Sequence, residues 1–252
     1  MAGFVRNMPK PYAMRQLITI LATGLIMHAS YAQTGSFHKV IVSPYIQVTF
    51  VQGDKESVTI DKIAVDRSKF HVEIQGGTLR LYLDGAKDIP KDQHGNDYQQ
   101  NHHLYPDHAV IATVVYKKLD VLSVRGEETF LCQSPLSSDE FHLHMYGEAN
   151  ITFSEVHIAR MYTTMYGEGT LDIKAGSVNQ QYYTCYGEGK INTSGIAGQK
   201  AKVIAYGEAQ FRVNVSDRIK ITSFGEAKLS YMGNPSIVKG LHFGGVDLQR
   251  LD

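Results

Sequence analysis

Apolar and polar residues alternate with a period of two through most of the second half of the chain. The alternation is centred on a recurring Gly-Glu pair: a small residue follows the pair, and apolar residues stand two and four positions after it. The first of these apolar positions holds Ile151, Leu171, Ile191, Phe211 and Leu229. A period of two is typical of β-strands, because successive side chains of a strand point to opposite faces. No copy contains an amphipathic helical stretch, so the pattern predicts strands.

The Gly-Glu pair recurs at a nearly constant interval of 18 to 21 residues. Its glycines are Gly126, Gly147, Gly167, Gly187, Gly207 and Gly225. A repeat of this length indicates a solenoid, in which each copy is one coil. Solenoids of helix pairs are excluded by the strand pattern, and the leucine ladder of leucine-rich repeats is absent. We therefore predict an all-β fold, a parallel β-solenoid with coils of about 20 residues.

In a β-solenoid, the same position of successive coils forms a column with a spacing of about 4.8 Å. The small residue after each Gly-Glu pair fits an inward corner, and strict alternation then places the flanking tyrosine and glutamate outside. This register predicts an outward tyrosine column beside an outward glutamate column. The candidate ligand-binding residues are Tyr146, Glu148, Tyr166, Glu168, Tyr186, Glu188, Tyr206 and Glu208.

Neighbouring carboxylates in such a column repel each other by roughly 1 kcal/mol per pair in water. The glutamates must therefore be solvated, paired or bound to metal, and Lys190 and Lys228 stand where they can pair with Glu188 and Glu226. In one interpretation the two columns bind nothing: the tyrosines stack to stabilise the sheet, and the glutamates keep the surface solvated. The others are a strip that binds glycans, with tyrosine faces against sugar rings, or a strip of Ca²⁺ ligands.

Catalysis by the glutamates is disfavoured. General acid and base groups need different environments that separate their pKa values, whereas a periodic column gives nearly identical ones. We therefore predict no catalytic residues. We also assign no metal site and no cofactor, since the Ca²⁺ strip is the least favoured of the three interpretations.

Residues 33–125 also show strand patterns. Ile46, Val48 and Phe50 share one face, as do Phe70, Val72 and Ile74, and then Leu79, Leu81 and Leu83. These strands are expected to continue the solenoid or to cap it, since terminal coils must close the core. Residues 86–108 are predicted to form a polar loop. Its four histidines have a spacing that fits no zinc pattern.

Residues 1–32 have the features of a secretory signal peptide. Arg6, Lys10 and Arg15 precede a mostly apolar run from Leu17 to Met27, and Ser30 and Ala32 provide small residues for cleavage. The apolar run is too short to span a bilayer, which takes about 20 residues. Removing residues 1–32 leaves 22 basic and 25 acidic residues, which disfavours a nucleic-acid partner. The Gly-Glu repeat region is assigned to residues 126–252.

Export permits a disulfide between the two cysteines, but the repeat register argues against one. Cys185 belongs to the inward column of Met145 and Met165, whereas Cys132 lies in the first coil. Three coils separate them by roughly 14 Å, and disulfide Cα atoms lie within about 7 Å of each other. We predict two free thiols.

The sequence resembles the family described as putative auto-transporter adhesin, head GIN domain, which comprises exported β-solenoid proteins of the Bacteroidota. The likeness covers about residues 36–250. It rests on the segments FHKVIVSPYIQVTFVQGD and GGTLRLYL, on the glycine repeats of about 20 residues, and on the ending LSYMGNPSIVKGLHFGGVDL. The resemblance implies a right-handed parallel β-helix at the cell surface or in the envelope. The family usually writes its repeat as Ser-Gly-Ser-Gly; here tyrosine and glutamate replace the serines, which removes any ligand preference tied to a serine ladder.

These observations favour an exported, non-enzymatic β-helix that acts as an adhesin or binds a glycan or another cell-surface polymer. Its expected location is the periplasm, the outer membrane surface or the extracellular space. One alternative is a polysaccharide lyase on the same architecture; the scattered positions of Lys174, Lys190, Lys202 and Arg212 argue against it. The other alternative is a structural envelope protein that stacks end to end, which the charged C-terminal residues disfavour.

Overall fold

The computed structural model describes residues 29–31, 35–88 and 104–251. Almost all of the predicted signal peptide and residues 89–103 of the predicted polar loop lie outside these ranges. The described chain forms one sheet of 17 strands that coils on itself. One short 3₁₀ helix, Arg67–Lys69, interrupts the strands. No helix among the described residues has the length and apolar character needed to cross a membrane.

The first nine strands form the N-terminal end of the solenoid. They are β1 Ala29–Tyr31, β2 Lys39–Val42, β3 Ile46–Gln52, β4 Ser57–Ile63, β5 Phe70–Gln75, β6 Thr78–Leu83, β7 Val110–Tyr116, β8 Val121–Gly126 and β9 Thr129–Cys132. The remaining strands form the coils that follow. They are β10 Leu136–Gly147, β11 Asn150–Phe153, β12 Val156–Tyr166, β13 Thr170–Ile173, β14 Gly176–Tyr186, β15 Lys190–Met232, β16 Ser236–Phe243 and β17 Val246–Arg250.

The predicted stacking of coils is confirmed by the pairing of the strands. β10, β12 and β14 pair in parallel with an offset of twenty residues, which places Met145 beside Met165 and Met165 beside Cys185. After each Gly-Glu pair the chain turns into a second set of strands. There, β11 pairs in parallel with β13, and β13 pairs in parallel with the start of β15. Residues one repeat apart in sequence are therefore nearest neighbours in space, as the β-solenoid prediction requires.

The N-terminal strands both continue the solenoid and cap it. β2 pairs in parallel with β6 and β8, and β3 pairs in parallel with β7 and β9. The β2–β3 coil therefore lies between the β6–β7 coil and the β8–β9 coil, out of chain order. β4 and β5 pair antiparallel with β7 and β6, and β1 pairs antiparallel with β4. These antiparallel strands cover the N-terminal end of the stack.

The core is the inside of the coil, and the predicted alternation of inward and outward residues holds along most strands, whereas β16 and β17 of the last coil contain no buried residue. Ile46, Val48 and Phe50 are buried on β3, as are Leu79 and Leu81 on β6. The small column after the Gly-Glu pairs is buried as well. Some polar groups inside are hydrogen-bonded: the Tyr183 hydroxyl donates to Gln181 Oε1 at 3.1 Å.

Candidate functional site

The Gly-Glu corners position the outward side chains because each corner stacks on the one before it. Gly187 has φ +117°, a backbone conformation that L side chains rarely adopt. A Cβ built there would lie 2.6 Å from the carbonyl oxygen of Gly167. The Gly187 N–H donates to the Tyr206 carbonyl at 2.8 Å. Glycine therefore lets the backbones of successive corners approach closely, and the residues on both sides of the corner fall into straight columns.

The tyrosine before each corner belongs to a continuous stack of rings, which we call the aromatic ladder. The ring centroids of successive members are 4.7 to 5.7 Å apart, and the planes of the first five lie within 6° of parallel. The guanidinium of Arg125 lies 5.6 Å from the centroid of the first ring and covers its other face. The members are Tyr146, Tyr166, Tyr186, Tyr206, Phe224 and Phe243.

This stacking decides which part of each tyrosine a ligand can reach. Tyr166, Tyr186 and Tyr206 are 41%, 37% and 38% exposed. Their ring faces cover one another, and a centroid spacing of 4.7 Å leaves no room for a sugar ring between them. The exposed parts are the ring edges and the hydroxyl groups, so the ladder presents hydrogen-bonding groups rather than stacking platforms.

The predicted glutamate column runs beside the aromatic ladder. Glu148, Glu168, Glu188 and Glu208 are all exposed. The sequence predicts an ion pair between Glu188 and Lys190, but no ion pair in the described part of the chain joins them. The carboxylates are instead solvated, which keeps their mutual repulsion small. Together, the two columns bring all eight sequence-predicted candidate residues to one edge of the solenoid.

A second aromatic column lies on the same strand face, four residues before the ladder. His142, Tyr162 and Tyr182 are stacked, with centroids 4.8 and 4.6 Å apart. Glu140 accepts hydrogen bonds from His142 and Arg160, and these bonds hold the pKa of that carboxyl below its usual value. This column was not predicted from the sequence, although the twenty-residue interval from Tyr162 to Tyr182 is a signal for it.

A shallow groove of about 530 Å³ follows the bend at the start of β10, β12 and β14. Hydroxyl, amide, imidazole and charged groups line most of it, which suits a ligand rich in hydroxyl groups. This groove was not predicted from the sequence, because it is formed by the bend of the coil and not by a motif. Its lining residues are Lys118, Ser137, Ser138, Asp139, His157, Ile158, Ala159, Ser177 and Asn179.

The first coil breaks the repeat with a buried carboxylate. Glu128 occupies the position in which Ala149 stands one coil later, and it is buried. Its side chain accepts hydrogen bonds from the backbone N–H of Tyr45 at 2.7 Å and of Glu127 at 3.0 Å. Desolvation raises the pKa of Glu128 above its ordinary value, although these bonds oppose the shift. The carboxylate therefore ties the left-handed corner at Tyr45 to the first Gly-Glu coil.

The remaining reactive groups are inside the core. Cys132 and Cys185 are free and buried, and burial raises the pKa of both thiols. Within the described ranges, no group of three or more His, Cys, Asp or Glu side chains is arranged to hold a metal ion.

Comparison with known proteins places the chain in a family. The family model described as putative auto-transporter adhesin, head GIN domain matches residues 36–235. The chain belongs to this family. No curated protein matches the sequence.

Solved structures share the fold of this head GIN domain protein. A putative adhesin from Bacteroides fragilis has a TM-score of 0.70 with 17% identity, and one from Parabacteroides merdae has a TM-score of 0.63 with 17% identity. A putative lipid binding protein from Parabacteroides distasonis has a TM-score of 0.63 with 17% identity. Each alignment covers 89% of this chain and 96% of the other chain. At such identities the likeness establishes the fold only.

Proposed function

We propose that this head GIN domain protein is an exported, non-enzymatic β-helix that binds a glycan or another cell-surface polymer through its outward tyrosine and glutamate columns. Membership in a family of putative adhesins supports a binding role, as do the putative adhesins among the solved structures. The signal-peptide features of residues 1–32 support export to the envelope or the cell surface.

The observation that carries the proposal is the regular repetition of exposed hydroxyl and carboxylate groups. Tyr166, Tyr186 and Tyr206 present their hydroxyl edges at ring spacings of 4.7 Å, and an exposed glutamate accompanies each of them. A polymer with repeated hydroxyl groups can form the same contact on successive coils. Each hydrogen bond contributes only about 1 kcal/mol, but linked contacts add through effective concentration.

Since the ring faces are covered, we assign recognition to hydrogen bonding along the ring edges. This makes a sharp test possible, because phenylalanine keeps the stacked ring and removes only the hydroxyl. Binding of the full chain to arrayed glycans and purified cell-surface polysaccharides is measured for the wild type and for Tyr166→Phe/Tyr186→Phe. Loss of two hydrogen bonds of about 1 kcal/mol each predicts binding weaker by about 25-fold.

The matched control is Tyr162→Phe/Tyr182→Phe, which removes two hydroxyls from the neighbouring column of the same face. It should leave binding within about twofold. Equal binding by the wild type and Tyr166→Phe/Tyr186→Phe would contradict the proposal and leave the ladder a scaffold. If Asp139→Asn/Asn179→Ala alone abolishes binding, the polymer lies in the groove. Release of unsaturated sugar from a polyuronate would favour the lyase alternative.

A further inference from the structure

The last coil, β16–β17, exposes an apolar patch of three large aliphatic or aromatic side chains on one strand, β16. Val238, Leu241 and Phe243 of β16 are 42%, 71% and 68% exposed. Single exposed apolar residues are ordinary, but several on one strand mark an interaction surface. Strand pairing places Val238 beside Lys220 and Phe243 beside Phe224, so both continue the outward face of the coil below, and Leu241 lies between them where the register of β16 shifts.

Basic residues lie beside the apolar patch, on the coils of β15 that precede it. β14 pairs with β15 so that Lys202 follows Tyr182 in its column. Gly225 stacks on Gly207, which stands eighteen residues earlier in the chain. Lys220 of the following coil therefore lies next to Lys202, since each lysine stands five residues before its corner glycine. Their neighbours on this part of the face include Lys200 and Arg218, and all four side chains are exposed. We call Lys202, Arg218 and Lys220 the basic rim.

The basic rim is not neutralised within the protein. Lys200 pairs with Asp217 at 3.7 Å, but the three rim residues form no ion pair in the parts of the chain that the structure describes. Like charges on adjacent strands destabilise a sheet. Since the whole chain has a formal net charge of zero, this concentration of positive charge is local and complements a negatively charged partner.

We propose that the apolar patch and the basic rim together dock on the surface of an anionic lipid bilayer. Leu241 and Phe243 enter the boundary between headgroups and acyl chains, while the rim lysines and arginine bind headgroup phosphates. Apolar side chains beside basic ones are the combination that holds proteins at such interfaces. An acidic polysaccharide would engage the basic rim alone and would leave Leu241 and Phe243 in water. This surface uses residues other than the eight proposed to bind a polymer.

The test is co-sedimentation of the full chain with vesicles. The vesicles are made of phosphatidylcholine alone or of phosphatidylcholine with about 30% phosphatidylglycerol. The variants are Lys202→Glu/Lys220→Glu and Leu241→Ser/Phe243→Ser. The matched control, Lys190→Glu/Lys228→Glu, makes the same change of charge at exposed lysines on the other side of the Gly-Glu corner. Thermal melting confirms that each variant is folded. Any binding by residues 1–32 is common to all proteins compared.

The wild type should bind the anionic vesicles and bind neutral vesicles at least tenfold more weakly. Each basic group near an anionic surface contributes about fivefold in partitioning, so Lys202→Glu/Lys220→Glu should weaken binding at least 25-fold. Leu241→Ser/Phe243→Ser should weaken it at least tenfold, and the control should stay within threefold. No vesicle binding, or equal weakening by the control, overturns the proposal.

Two further outcomes also overturn it. In the first, the protein binds polygalacturonate but not vesicles, and this binding depends on the basic rim but not on Leu241 and Phe243. That result assigns the surface to an acidic polymer. The other is end-to-end self-association in analytical ultracentrifugation that Leu241→Ser/Phe243→Ser abolishes without any effect on vesicle binding. That result assigns the apolar patch to a second copy of the chain.

Discussion

Replacing Gly187 by alanine tests the physical basis of the coil stacking. Gly187 has φ +117° and stands at the corner between Tyr186 and Glu188. The added Cβ would lie 2.6 Å from the carbonyl oxygen of Gly167 and 3.2 Å from its carbonyl carbon. Both contacts are to backbone, and that backbone is itself stacked on the corner below, so neither side can move without separating coils.

The expected destabilisation has two parts. A non-glycine residue forced into this region of φ costs about 1–3 kcal/mol, and an overpacked contact that cannot relax costs about 1–3 kcal/mol. Their sum is about 4 kcal/mol. For a chain of this size, about 1 kcal/mol lowers the melting temperature by roughly 2–4 °C. We therefore expect the Gly187→Ala protein to melt about 8–16 °C below the wild type.

Gly76→Ala is the matched control. Gly76 also has positive φ, +55°, but an added Cβ would meet nothing within 4 Å. It carries the backbone cost alone, about 1–2 kcal/mol. The assay is guanidinium unfolding followed by circular dichroism, together with thermal melting of both variants. If Gly187→Ala is no less stable than Gly76→Ala, the close approach of successive corners does not constrain the fold and the reasoning is refuted.

Three further predictions follow from the core and the ladder. Glu128→Ala should cost about 2 kcal/mol at neutral pH, because it leaves two backbone N–H groups without an acceptor. Burial raises the pKa of Glu128, so the folded wild type retains a proton that the unfolded chain has released. Its stability should fall as pH rises from about 4.5 through the folded pKa, and guanidinium titrations at several pH values should show no such slope in the variant. Ellman's reagent should leave Cys132 and Cys185 unmodified in the folded protein and should modify both in guanidinium, since burial raises the pKa of each thiol; rapid reaction of either in the native state would contradict their burial. Tyr186→Ala should cost about 1–3 kcal/mol through the loss of two stacked neighbours, whereas Tyr186→Phe should unfold within about 0.5 kcal/mol of the wild type.

The repeat made most of the fold predictable. An interval of about twenty residues with a period of two fixes the inward and outward positions, because parallel strands in register place like residues beside like. The columns of Met145, Met165 and Cys185, and of the four tyrosines, appear where the sequence places them. The candidate residues could be located in this way, although their role could not.

Predictability ends where the repeat is irregular. Glu128 stands where later coils have a small residue, and Gln181 is inside where Met161 precedes it in the column. Both are satisfied by hydrogen-bond partners that lie on other coils or across the core, such as Tyr45 and Thr193. Partners of that kind are set by the packing of the coil and leave no signal at a fixed spacing.

What the sequence determined by itself was the coil, because a nearly constant interval with glycine at each corner predicts which residues stack on one another. Only the tertiary structure decided the order of the N-terminal coils, in which β2–β3 lies between β6–β7 and β8–β9. It also decided which groups are exposed. The tyrosine faces cover one another, the glutamates are solvated, and the apolar patch of the last coil lies beside unpaired lysines of the coils before it. The physical reason is that periodicity specifies which residues share a column, whereas ring orientation, ion pairing and exposure depend on distances between coils.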